Sequence, residues 1–172
     1  MLTQRKHEFN EEHIPIAYLI TFRTYGTWLH GDKRGSVDRH QNRYGSPRLP
    51  RSDHWYAHNL DSLKQPPVKL NAIRRQAVRD SIRMTCKMRD WSLWTTNVRS
   101  NHVHIVVSVA VNPKKVINAL KANATRVMKE TGCWRESASP WVRGGSKKYL
   151  WTEKEVADAI AYVEYDQGEP LD

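Results

Sequence analysis

Cysteine is scarce: the 172 residues hold only Cys86 and Cys133, with no pair-type spacing. That excludes a disulfide framework and a cysteine-rich zinc module. Long apolar runs are missing as well. No stretch approaches the ~18 residues that a membrane span needs. The N-terminus, MLTQRKHEFNEE, is polar from the start, which does not fit a secretory leader. The expectation is a cytoplasmic protein without a membrane partner. Acidic residues are in deficit, with 18 Asp and Glu against 28 Lys and Arg and a formal net charge of +10. Phe is nearly absent, but seven Trp and seven Tyr are present. A disordered chain is poorer in aromatics, so a folded core is expected, and the length suits a single domain. The excess positive charge favours a polyanionic partner, most simply nucleic acid.

Charge is unevenly spread. Lys69 to Arg89 carries seven basic residues and one acid, whereas Glu153 to Asp172 carries seven acids and one base. Ile16 to Phe22 (IAYLITF) reads as a buried strand. Residues 24 to 68 show no period and hold Gly26, Gly31, Gly35, Gly45, Pro47, Pro50, Pro66 and Pro67. They read as a long loop with interleaved Arg and aromatics (Trp28, Tyr44, Trp55, Tyr56), a composition suited to stacking on bases and neutralising phosphates. Lys69 to Met88 reads as a helix with Leu70, Ile73, Ala77, Met84 and Met88 inward. Arg75, Arg79, Arg83 and Lys87 recur every four residues as a basic stripe.

Trp91 to Thr96 and Val103 to Val109 read as two strands of an antiparallel hairpin, turned by NVRSN. Asn112-Pro113 starts a helix to about Lys129 as N-cap and first helical residue, and Gly132 ends it. Residues 133 to 147, with Gly144-Gly145, read as a loop. Lys148 to Trp151 reads as a short strand. Thr152, with Glu155 at the third position, caps a last helix to about Gln167. The first six elements give an α+β, ferredoxin-like βαββαβ antiparallel sheet, and a C-terminal helix is left over.

The chemistry sits in NHVHIVVSV, residues 101 to 109. Strand side chains alternate, so Val103, Ile105, Val107 and Val109 face the core. His102 and His104 then share the other face, where two neutral imidazoles can ligate one metal ion. The last helix offers partners. Beside its apolar stripe (Val156, Ile160, Val163) runs a polar one, Asp158, Tyr162 and Asp166. Asp166, or its neighbour Gln167, could add an oxygen ligand. Such a set leaves positions open for a phosphate oxygen. The Tyr162 hydroxyl could then attack phosphorus, although a phenol is mostly protonated at neutral pH and needs activation. A simple hydrolase has no need of that tyrosine. Tyr165 is the rival nucleophile, but helical geometry turns it toward solvent. The candidate phosphate contacts are Arg75, Arg79, Arg83, Lys114, Lys115, Lys121 and Arg143.

NHVHIVV resembles the His-hydrophobic-His motif of the single-tyrosine transposases, a group that includes insertion-sequence and REP-associated tyrosine transposases. AYLITFRTYGTWLHGDKRG resembles their first strand and following loop. WVRGGSKKYLWTEKEVADAIAYVEYDQG resembles their last strand and tyrosine helix. The resemblance spans roughly residues 14 to 168. It implies metal-dependent cleavage and rejoining of single-stranded DNA beside hairpins, with Mg²⁺ or Mn²⁺, through a 5′-phosphotyrosine. By position, His102 and His104 match the metal pair, Tyr162 the nucleophile, and Asp166 or Gln167 the third ligand. Gly144-Gly145 resemble a hinge for the tyrosine helix. Insertion-sequence members resemble homodimers and REP-associated members are often monomers, so both states stay open. The alternative is a domesticated hairpin DNA- or RNA-binding protein without catalysis.

Overall fold

The computed structural model describes residues 8–30, 32–33 and 47–168. In chain order the elements are β1 (Ala17–Arg23), α1 (Asp53–Asp61), α2 (Ala72–Met88), β2 (Ser92–Val98), β3 (His102–Ser108), α3 (Pro113–Glu130), β4 (Ser146–Leu150) and α4 (Glu153–Tyr165). The strands form one antiparallel sheet in the order β2-β3-β1-β4. This is the ferredoxin-like arrangement, with α2 and α3 on one face and α4 added on the other.

Alternation along the central strands builds two cores. Tyr18, Ile20 and Phe22 of β1 join Val103, Ile105 and Val107 of β3 beneath Val78 and Ile82 of α2 and Val116, Leu120 and Met128 of α3. On the other face, Ala17, Val106 and Leu150 meet Val156, Ala159 and Val163 of α4. Among the described residues the first core gathers 22 buried residues and the second six. At about 1.5–3 kcal/mol for each fully buried large aliphatic side chain, the smaller core gives α4 less apolar anchorage than α2 and α3 share on the opposite face. Its N-terminus is well fixed, because Thr152 and Glu155 cap each other's backbone reciprocally. At α2 and α3 the Asn71 and Asn112 side chains accept from the backbone N–H of Arg74 and Lys114, each cap contributing about 1 kcal/mol.

The strand ends differ by one or two residues from those read off the sequence, and three larger differences have physical causes. First, α1 lies inside the segment read as loop. It buries none of its side chains, and Ser52 caps it, so no apolar stripe announced it. Trp55 and Tyr56 lie exposed on it. Tyr44, Gly31, Gly35 and Gly45 fall outside the described residues. Second, the inward face of α2 is Ala77, Val78, Ser81, Ile82, Thr85 and Cys86, whereas Ile73, Met84 and Met88 are exposed. Those three share a face roughly opposite to Val78 and Ile82. Third, Leu70 is buried but precedes the helix.

Gly145 is explained by close packing. A Cβ there would stand 2.8 Å from the Thr21 carbonyl and 3.3 Å from Phe22 and Ile117. β4 lies between this glycine and α4 and is hydrogen-bonded to β1. Rotation at Gly144-Gly145 would therefore move the tyrosine helix only together with β4, whose pairing to β1 would have to break. Gly145→Ala is expected to lower stability by about 1–3 kcal/mol through overpacking, read as a lower urea midpoint at unchanged slope. An unchanged midpoint would show that β1 can give way at this point.

Candidate active site

β3 presents His102 and His104 on the α4 face, with ring centroids 4.7 Å apart. Cross-strand pairing sets their neighbours. Thr21 stands opposite His104, and Arg23 opposite His102. Thr21 Oγ1 lies 2.6 Å from His104 Nδ1, and Asn101 Oδ1 lies 2.7 Å from His102 Nδ1. Each imidazole thus has its Nδ1 engaged, which orients the ring and directs Nε2 toward the interior of the site. On the other side of the pair, the Tyr162 ring lies edge-on to His104 at 5.5 Å between centroids. Tyr162 is 41 % exposed and Tyr165 is 77 % exposed. Tyr162 opens into a cavity of about 710 Å³ that both histidines, Thr21, Arg23, Lys148 and Gln167 also line.

The helix ends at Tyr165, so the expected polar stripe does not continue to Asp166. Asp166 is the C-cap, its N–H bonded to the Tyr162 carbonyl at 3.2 Å, and its side chain does not line the cavity. The turn after the helix brings Gln167 round instead. The Gln167 Nε2 group donates to the Tyr162 carbonyl at 3.0 Å. That bond turns Oε1 toward the imidazoles, 3.5 Å from His102 Nε2. With the His102 Nδ1–H donating to Asn101, the neutral ring offers only a lone pair at Nε2. Two acceptors then face each other across this gap. A cation between them relieves that opposition, so the donor set fits a divalent metal ion. His104 Nε2 joins the set in the tautomer whose Nδ1–H donates to Thr21 Oγ1. Among the described residues no three His, Cys, Asp or Glu side chains gather in one place. Here the third neighbour is an amide.

Burial pushes the His104 imidazole down to about 3, helped by His102 and Arg23 beside it and opposed by its contact with Gln167. The ring is therefore neutral at physiological pH, as a metal ligand must be.

The basic residues divide. Arg75 and Lys121 are buried. Arg75 donates to the Leu70 carbonyl at 3.2 Å. Lys121 donates to the Val142 carbonyl at 2.6 Å and also to the Gly144 carbonyl. Burial pushes its ammonium down to about 8. Both cations bind the chain's own carbonyls, which corrects their reading as phosphate contacts. The reason for Arg75 is helical drift: each four-residue step overshoots a full turn by about 40°, so the stripe begins on the inward face and leaves it later. Arg83, Lys114, Lys115 and Arg143 are exposed, and Arg79 is half-buried beside Gln76. Lys114 also lies near Lys147, whose ammonium is lowered by partial burial and by that neighbour.

Thr21, Arg23, Asn101 and Lys148 were not singled out from the sequence. A signal for two of them was present. In AYLITFR the residues facing α4 turn from apolar to polar at Thr21 and Arg23, the end of β1 that pairs with the histidines.

The family model for IS200-like transposases matches residues 63–164. The chain belongs to that transposase family. Its fold is similar to that of a REP-associated tyrosine transposase solved bound to a REP hairpin, with TM-score 0.49 and 10 % identity over 91 % of this chain and 69 % of that one. It is also similar to a protein described as a transposase from Deinococcus radiodurans, with TM-score 0.45 and 13 % identity over 98 % of this chain and 100 % of that one. No curated protein matches it significantly. Among the described residues no helix is long and apolar enough to cross a membrane.

Proposed function

We propose that this transposase-family protein cuts and rejoins single-stranded DNA beside hairpins, with Tyr162 as the nucleophile. The observation that carries the reading is the Tyr162 ring set against the His104 ring at the mouth of one cavity. His102, His104 and Gln167 would hold Mg²⁺ or Mn²⁺. When bound, such an ion draws negative charge off the phosphate oxygens. The Tyr162 Oη attacks phosphorus as its proton passes to solvent. The bond from phosphorus to the 3′ oxygen breaks opposite the new one. The departing oxygen takes a proton from water and becomes a 3′-hydroxyl. The 5′ phosphate stays on the tyrosine, and an incoming 3′-hydroxyl reverses the step to seal a strand.

Tyr162, His102, His104 and Gln167 come from one chain, so this reading needs no second copy to complete the site. Arg83, Lys114, Lys115 and Arg143 remain the exposed candidates for backbone phosphates, with Arg79 at their margin. The test is a labelled hairpin with single-stranded flanks, incubated with Mg²⁺ or Mn²⁺. A covalent protein–DNA band is expected that vanishes in Tyr162→Phe and persists in Tyr165→Phe. Tight binding with no band under either metal would replace the enzyme by a hairpin-binding protein.

A further inference from the structure

Arg23 is the last residue of β1, and the register sets it directly opposite His102. Directly opposed strand residues share a face and lie within about 5.5 Å at Cβ, so its side chain leaves the sheet beside the histidine pair. Its guanidinium carbon then lies 3.7 Å from the centroid of the Trp28 ring. A second guanidinium, that of Arg48, approaches the same ring at 5.8 Å. Arg23, Trp28 and Arg48 all line the cavity into which Tyr162 opens.

Stacking uses the flat face of a guanidinium and leaves its N–H donors pointing outward in the plane. A cation held in that way loses little side-chain freedom when it meets a phosphate. It also stands beside the histidine pair, on the wall of the cavity into which Tyr162 opens. We propose that Arg23 is a catalytic residue that donates to a non-bridging oxygen of the scissile phosphodiester, and that Trp28 is a positioning residue that holds its guanidinium in place. This rests on the reading of the cavity as a phosphoryl-transfer site and assigns it a second, protein-borne source of positive charge. As Tyr162 bonds to phosphorus and the 3′ oxygen leaves, charge gathers on the oxygens that Arg23 contacts. Stabilisation of that kind acts on the step itself more than on binding.

The experiment measures single-turnover adduct formation at saturating hairpin DNA with Mn²⁺, together with hairpin affinity. Arg23→Gln is expected to slow the step by about 100-fold or more. Its hairpin affinity should stay within about threefold, because the other phosphate contacts remain. Arg23→Lys should recover about tenfold of that loss, since it restores charge without the planar fork. Trp28→Ala should slow the same step by about tenfold, and Trp28→Phe should restore most of it. Equal rates in wild type and Arg23→Gln would overturn the assignment, as would a loss confined to affinity. A loss that neither Arg23→Lys nor Trp28→Phe relieves would mark a packing role and overturn it too. Inorganic phosphate binding, followed by phosphorus NMR in the same proteins, separates this claim from the one it rests on. If wild type forms no adduct, the enzyme reading fails by itself. Arg23 then stands as an anion-binding group if Arg23→Gln loses phosphate binding, and falls if the two proteins bind it equally.

Discussion

His102→Ala is expected to abolish strand cleavage while hairpin affinity stays within a few fold. The two effects separate because different groups carry them. Affinity for a hairpin comes mostly from lysine and arginine contacts to the phosphate backbone, and His102 instead lines the cavity beside Tyr162. Cleavage needs the neutral Nε2 lone pair that faces Gln167 Oε1 across 3.5 Å. A divalent ion contributes several kcal/mol of charge stabilisation to phosphoryl transfer, and each 1.36 kcal/mol is tenfold in rate. Loss of one of its few ligands should therefore reduce the rate by about a thousand-fold or more. Mn²⁺ affinity, measured by calorimetry on the DNA-free protein, should fall in parallel. Asn101→Ala should give a smaller loss of about 10- to 100-fold, because Asn101 only fixes the tautomer and orientation of His102 through the 2.7 Å contact at Nδ1. If His102→Ala instead lost hairpin binding and kept Mn²⁺ affinity, the pair would be a structural feature of β3 and the assignment of the site would fall with it.

Much of this site was legible in the sequence because its positions follow from period alone. Alternation in HVHIVVS fixes both histidines on the face away from the first core, and that is where α4 packs. The capping pair Thr152 and Glu155 fixes where α4 starts, and so fixes that Tyr162 lies beside the buried Val163 stripe while Tyr165 does not. What depends on the ends of elements or on pairing between them was not legible. Gln167 reaches the site only because α4 stops at Tyr165 and the chain turns. No helical stripe predicts that turn. Thr21 and Arg23 become site residues through the register of β1 against β3, which one strand cannot state by itself. Arg75 and Lys121 show the limit of reading charge as surface. A long basic side chain can be buried and donate to carbonyls of its own chain, as both do here.

In the presence of a chelator, the protein is expected to lose stability steeply as the pH falls from about 6.5 toward 3, and His104 should account for a measurable part of that loss. Its imidazole is pushed down to about 3 by burial and by the neighbouring His102 and Arg23, against an ordinary value near ~6.5 in the unfolded chain. Between those two values the unfolded chain takes up a proton that the folded chain does not. Stability therefore rises with pH across the window and falls as acid is added. Above the window the contribution is fully present, and below it the contribution is gone. At a pH of about 4.5, two units below the unfolded value, the loss traceable to this one ring is about 2–3 kcal/mol. Urea unfolding of wild type and His104→Asn at pH about 7 and about 4.5 isolates it, since carboxylate effects are common to both proteins and cancel in the difference. The variant should be less stable at neutral pH, because Asn leaves part of the buried site unfilled, and the gap between the two proteins should shrink or reverse in acid. Saturating Mn²⁺ should steepen the wild-type dependence and leave the variant's largely unchanged, because the ion competes with protons for the same nitrogens. Parallel curves for the two proteins would mean that His104 accepts a proton without cost in the folded state. The close contact with Thr21 and the burial under α4 would then not constrain the ring, and a pre-organised neutral ligand at this position would have to be given up.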